Sequence, residues 1–311
     1  MRLGVVGMLP DDFRTITVEH LLAIRALDLT GACFHVGGER LVDTTSADCA
    51  KVKQTYASAE MALVQMGIGY SECLFDPDSA VRERVLHKIH RGIEIAREVG
   101  AQVCLIRTGS LNPGGSYHPS RKNHEPASYD RLIASLRQVA AKAEQEGQTM
   151  VIETHVLTIM NSPEMNVQVV NDVGSPRIQI VMDYVNHFQT LHQVYNSAER
   201  LQQIFDVMGP VCPVGHCKDI RVENGFVVHF SEEAPGEGEL DLATALRLWH
   251  QLRPDGYMLL EHLPNPVLTV ASSDPVQNLG WTPLEQQANN RYALAARNVQ
   301  RIAAAARIPI Q

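Results

Sequence analysis

The chain has 311 residues, 45% of them hydrophobic, and a formal charge of −8. That length makes two ordinary domains or one large barrel, and the negative balance argues against a nucleic-acid partner, which needs a basic stripe. No apolar run nears the ~18 residues that cross a bilayer and no signal-peptide core opens the chain, so a cytoplasmic protein with no membrane partner is expected.

Leu3–Met8 is short, apolar and flanked by glycine, and reads as a buried strand. Apolar residues at 18, 21, 22, 24 and 27 have a helical period over 17–28. Gly31–Val36 is a second strand, followed by a helix over 46–66 capped by Ser46, and Ile68–Phe75 is a third strand. Asp78 or Ser79 caps a helix to about 99, which Gly100 ends. Val103–Arg107 is the fourth strand. A polar loop of about 20 residues follows, rich in Gly, Pro, Asn and His, and loops that long in a compact domain are usually functional or disordered.

An amphipathic helix over 128–146 leads to the fifth strand, Thr149–His155. A helix near 164–173 precedes the sixth, Ile178–Asp183, and a helix over 197–208 precedes the seventh, Pro213–Asp219. A β-rich excursion over 225–230 and a glycine-acidic loop over 235–242 come next, then a helix over 241–252 and the eighth strand, Tyr257–Glu261. After a Pro/Ser/Asn-rich loop over 262–281, Thr282-Pro283-Leu284-Glu285 has the form of a capping box opening a final alanine-rich helix. The six cysteines include no C-x-x-C pair, and Cys33, Cys104 and Cys217 fall in apolar runs as small core residues do. Eight apolar strands alternating with eight helices predict an α/β fold whose parallel sheet is buried on both faces. Eight such units favour a closed (β/α)₈ TIM barrel, with residues 1–311 as one domain. The first turn, Gly7-Met8-Leu9-Pro10, lacks the G-x-G-x-x-G of a doubly wound nucleotide fold.

Strands five to eight each end on a ligand-type residue: Glu153, Asp183, His216 and Glu261. In a (β/α)₈ barrel those ends converge on the catalytic face. Three carboxylates brought together repel, and burying them unpaired is costly. One divalent cation resolves both problems. Three oxygens and one nitrogen suit Mn²⁺ best, with Mg²⁺, Co²⁺ or Zn²⁺ as alternatives.

These residues, with Asn186-His187, the His216-Cys217-Lys218-Asp219 run and the Pro235–Asp241 loop, resemble the xylose isomerase-like TIM-barrel superfamily. This is the sugar phosphate isomerase/epimerase group with its ketose 3-epimerases, hydroxypyruvate isomerase, inosose dehydratase and endonuclease IV branch. The resemblance implies that Glu153, Asp183, His216 and Glu261 hold the metal and that Glu153 and Glu261 form an acid/base pair. It implies proton abstraction beside a carbonyl through a metal-stabilised enediolate, on a small carbohydrate. Dimers or tetramers are common in the group. The substrate determinants depart from the epimerase pattern: Ile159 stands where a second glutamate is found, Asn186 where a histidine is found, and Arg221 is five rather than six residues after His216.

His155, two residues beyond Glu153, is expected on the same face of an extended strand and becomes a candidate acid or base. His187, Asn186, Arg107, Lys218, Arg221 and His35 are the candidate substrate contacts; His118 and His124 belong to the long loop. Glu237, Glu239 and Asp241 would repel a substrate phosphate. The alternatives to an isomerase or epimerase are a metal-dependent dehydratase or lyase on a keto-sugar or keto-inositol, an endonuclease IV-like hydrolase, and a non-catalytic subunit of the same fold.

Overall fold

The computed structural model describes residues 1–261 and 283–311. The loop at 262–281, Trp281 and the proposed Thr282 cap lie outside the described residues. Among the described residues there are ten strands: β1 (Arg2–Val6), β2 (Gly31–Gly37), β3 (Ala62–Gly69), β4 (Val103–Arg107), β5 (Met150–Glu153), β6 (Ile178–Met182), β7 (Val214–Cys217), β8 (Asp219–Val222), β9 (Phe230–Glu233) and β10 (Tyr257–Leu260). Eight of them close a parallel barrel in the order β1-β10-β7-β6-β5-β4-β3-β2, while β8 and β9 form a separate antiparallel ribbon. The expected TIM barrel is therefore the observed one. No helix among the described residues is long and apolar enough to cross a membrane.

The eight barrel strands are largely apolar because each has two mostly dry faces. Inward side chains make one cluster, including Val6, Cys33, Val64, Leu105, Val151, Val181, Val214 and Leu259. Outward side chains join the helices in a larger cluster that holds Phe13, Phe75, Tyr184 and Trp249, all fully buried. Burying one large apolar side chain contributes about 1.5–3 kcal/mol. Because side chains alternate along a strand, the next inward position lies two residues further on. Two positions past Val151, Val181, Val214 and Leu259 come Glu153, Asp183, His216 and Glu261, on the inner face at the carboxyl end of the barrel.

Several local expectations are corrected. The helix expected over 46–66 ends at Ser58, and the third strand is Ala62–Gly69 rather than Ile68–Phe75. Glu60 takes a left-handed φ of 51°, which stops the helix, and the apolar residues beyond it fit a buried strand as well as a helical period. The cap of that helix is Thr45, in a reciprocal box with Asp48, and not Ser46. The fifth strand stops at Glu153, short of His155. The seventh splits at Lys218, whose carbonyl and N–H both bond the Tyr184 hydroxyl instead of a strand. The excursion strand lies at Phe230–Glu233, and Phe226, Val227 and Val228 form an exposed turn before it. Two short helices, Arg40–Asp43 and Leu191–Tyr195, add to the eight expected.

Candidate metal centre

Glu153, Asp183, His216 and Glu261 are buried, and one ligand atom from each lies within 4.8 Å of the others. They come from four neighbouring strands, β5, β6, β7 and β10, so the cluster occupies one side of the barrel mouth. Asp183 is the hub. Its Oδ2 accepts from Asn186 Nδ2 at 2.9 Å and Lys218 Nζ at 2.7 Å, with His216 Nδ1 at 3.4 Å. Its Oδ1 is buried without a hydrogen-bond partner among the described residues. His216 Nδ1 also contacts Glu261 Oε2, and its Nε2 lies 3.1 Å from Gln65 Oε1. Lys218, two residues past His216 and so on the same face, sends its ammonium into the carboxylates, 3.6 Å from Glu261.

The charges respond to one another. Burial disfavours a charged His216, but Glu261 and Asp183 outweigh it and push the imidazole up to about 10. Burial likewise opposes the Asp183 carboxylate, and Lys218 with His216 overcomes it, holding that group at about 2. Lys218 is buried yet held charged by Asp183 and Glu261. The donor set suits a hard divalent cation: three carboxylates, one imidazole and a buried carboxylate oxygen with no other partner.

Tyr117 completes the wall beside Glu153. Composition alone does not single it out and points instead to His118 and His124 in the same loop, both of which are exposed. The Tyr117 hydroxyl donates to Glu153 Oε2 at 2.7 Å. The Arg107 guanidinium lies 5.7 Å from the Tyr117 ring centre, and the His155 ring meets it edge-on at 5.6 Å. Burial, with Glu153 alongside, pushes the Tyr117 phenol far up, so it stays protonated. Asn123 holds this loop in place: it is buried, accepts from Leu111 N–H at 2.9 Å and donates to the Leu157 carbonyl at 3.1 Å.

The other candidates divide. Arg107 is directly opposite Glu153 in the β4–β5 register. His155 stands beside the cluster; its Nδ1 accepts from Leu157 N–H at 3.2 Å, and burial lowers its pKa. Asn186 is spent on Asp183 and on the Thr154 carbonyl, 3.1 Å away. His187 turns away into a buried network with Thr154 Oγ1 at 3.1 Å and Asn166 Nδ2 at 3.2 Å. Arg221 lies in β8, paired with Glu233 at 2.9 Å. His35 borders a 230 Å³ cavity with Asp11, Arg40 and Gly69, across the mouth at the ends of β1 to β3. Its ring lies over Gly67, where any Cβ would collide with it.

Asp219 organises the rim. Its carboxylate accepts N–H bonds from Ile220, Gly236, Gly238 and Leu240, wrapping the glycine-acidic loop around itself. A Cβ at Gly238 would run into that carboxylate, so the loop closes this tightly only with glycine there.

Residues 22–279 match the sequence model of the xylose isomerase-like TIM barrel family. No curated protein matches the chain in sequence. Among solved structures, the chain is similar to 3-keto-D-glucoside 4-epimerase from E. coli, with 18% identity over 96% of this chain and 99% of the other, at a TM-score of 0.64. It is similar to D-psicose 3-epimerase from Clostridium cellulolyticum H10, with 14% identity over 96% and 99% and a TM-score of 0.67. A xylose isomerase-like TIM barrel protein from Mycobacterium smegmatis, solved in complex with magnesium, has 16% identity over 97% of both chains and a TM-score of 0.65.

Proposed function

The chain belongs to the xylose isomerase-like TIM barrel family, and on that premise we propose that it is a divalent-metal-dependent sugar isomerase or epimerase. The observation that carries this reading is the buried Glu153–Asp183–His216–Glu261 cluster, with its ligand atoms within 4.8 Å. Those four residues would hold the ion, with Mn²⁺ as the first choice and Mg²⁺, Co²⁺ or Zn²⁺ as alternatives. When bound, such an ion polarises a substrate carbonyl and acidifies the adjacent C–H.

The remaining work falls to side chains. Glu153 and Glu261 stand on the two outer strands of the four, so a substrate between them meets one carboxylate from each side, the arrangement an acid/base pair needs. Tyr117 holds one Glu153 oxygen by a hydrogen bond and leaves the other available. Arg107 and Lys218 bring positive charge to developing oxyanions. His155 and His35 line the space where a polyol's hydroxyl groups would lie. The epimerases among the similar structures support a carbohydrate substrate. A homo-oligomer, dimer or tetramer, belongs to the same reading, supported by the exposed apolar side chains of Phe226, Val227 and Val228.

A second reading, a dehydratase or lyase on a keto-sugar or keto-inositol, is favoured by one observation. Tyr117 is a protonated phenol beside the proposed base, suited to donating to a departing hydroxyl. An endonuclease IV-like hydrolase has less support: among the described residues there is one such four-ligand cluster, and the chain carries a net charge of −8. The test is solvent exchange. The metal-loaded protein is incubated with a panel of ketoses and 3-keto-glycosides in D₂O. Deuterium at a carbon beside the carbonyl with the carbon skeleton and hydroxyls retained supports the first reading. Exchange with elimination supports the second. Absence of metal from the wild-type protein, or a metal content unchanged in Glu153→Gln and Asp183→Asn, rejects both.

A further inference from the structure

We infer that Gln65 is a positioning residue for His216, fixing the tautomer and orientation of the ring so that Nδ1 is the nitrogen that binds the cation. This rests on the metal reading above and concerns a residue that lies on none of the four ligand strands.

The placement of Gln65 is a product of backbone irregularity. Between β2 and β3 the register steps from Ala32↔Leu63 to Phe34↔Met66, leaving Val64 and Gln65 both opposite Cys33. Such a bulge re-aims one side chain. Val64 belongs to the inner cluster, as strict alternation from Leu63 requires, and the extra residue brings Gln65 inward as well. There it is fully buried beside the apolar side chains of the inner cluster. A buried amide in such a layer is tolerated when it is bonded. Its side chain makes one hydrogen bond among the described residues, Oε1 to His216 Nε2 at 3.1 Å.

The chemistry of that contact is one-directional. A carbonyl oxygen only accepts, so Nε2 carries the proton. The other nitrogen, Nδ1, faces Asp183 Oδ2 at 3.4 Å and Glu261 Oε2, where a ligand lone pair is wanted. Turning the amide over would set N–H against N–H. Metal-binding histidines generally have their second nitrogen held in this manner, and loss of the holder costs about 10–100-fold in metal affinity.

The experiment compares the full-length wild type with Gln65→Glu, Gln65→Leu and Gln65→Met, each stripped with chelator and titrated with Co²⁺ by calorimetry and visible absorption. Gln65→Glu keeps an acceptor and is expected to bind Co²⁺ at least as tightly as the wild type, with the same spectrum. Gln65→Leu is expected to bind about 10–100-fold more weakly, with an altered spectrum and a melting transition of the stripped protein that still matches the wild type. Should the leucine variant not fold, Gln65→Met provides the apolar comparison. Wild-type affinity and spectrum in the apolar variant overturn the inference, as does an equal loss in the glutamate variant. A wild-type protein that takes up no Co²⁺ overturns instead the metal reading beneath it.

Discussion

Acid should loosen this barrel through a residue outside the Glu153–Asp183–His216–Glu261 cluster. His187 is fully buried, and its Nε2 is met by the Thr154 hydroxyl and the Asn166 amide. Both can serve it as donors, which leaves no place for a proton there. Burial, helped by the nearby Arg200 charge and only partly opposed by Asp183, holds its pKa down at about 4, against an ordinary 6.5. A histidine depressed in this way favours the folded state at pH values above 6.5, and the contribution is lost as pH falls from 6.5 through 4. Linkage puts the loss at about 2 kcal/mol between about pH 7.5 and about pH 5, and about 3 kcal/mol once both states are protonated. His187→Gln sets an amide oxygen near the Nε2 position and cannot titrate. Urea unfolding at the two pH values, followed by circular dichroism, gives four stabilities. The variant is expected to start lower at neutral pH, and its fall on acidification should be about 2 kcal/mol smaller than that of the wild type. Parallel falls in the two proteins would falsify the assignment of a buried neutral imidazole at 187.

Tyr117→Phe removes the donor to Glu153 Oε2 and should lower kcat about 10–100-fold, a hydrogen bond to a charged group being worth about 1.5–3 kcal/mol, with metal content unchanged by elemental analysis; an unaltered kcat removes Tyr117 from the site. Asp219→Ala strands the amides of Gly236, Gly238 and Leu240, and hydrogen exchange in the 235–241 loop should accelerate at least about tenfold, each buried amide left unpaired costing about 1–3 kcal/mol. Leu259→Ala opens the inner barrel cluster, where the side chain is fully buried, and should cost about 2–5 kcal/mol in chemical denaturation. A loss under about 1 kcal/mol would mean that the neighbouring strands collapse onto the gap.

The barrel is legible in the sequence because its strands are largely apolar on both faces and the last four each lead into a ligand-type residue. Counting by two from Val151, Val181, Val214 and Leu259 reaches the four ligand-type residues without knowledge of any contact. The failures are local. Residues 61–68 are apolar enough to satisfy two periods at once, and the left-handed turn at Glu60 that decides between them leaves no mark in composition. Gln65 is invisible because its inward direction comes from a register step between β2 and β3, a property of the pair and not of either segment. Tyr117 is overshadowed by its histidine neighbour because nothing in a polar loop of that composition says which side chain turns inward; Asn123, buried and bonded across to Leu157, settles it. His187 illustrates the converse case. It follows the strand-six carboxylate closely in sequence, but the short 3₁₀ turn over Tyr184–His187 carries it into the helix layer.

Lys218 frees the folding of this barrel from any need for a metal. Three carboxylates drawn together inside a barrel would ordinarily tie folding to the arrival of a cation, as happens in small zinc-dependent domains. Here the polypeptide supplies its own counter-charge: an ammonium 2.7 Å from Asp183 and 3.6 Å from Glu261, and an imidazolium at His216. The order of assembly is thereby set. The chain can fold first, an ion held by the proposed site would enter afterwards, and a chelator should withdraw it from a barrel that stays folded. A divalent cation held by this cluster would take over the charge balance from the Lys218 ammonium and the proton on His216. Any activity that needs such an ion could then be switched on by its supply without the protein being made anew.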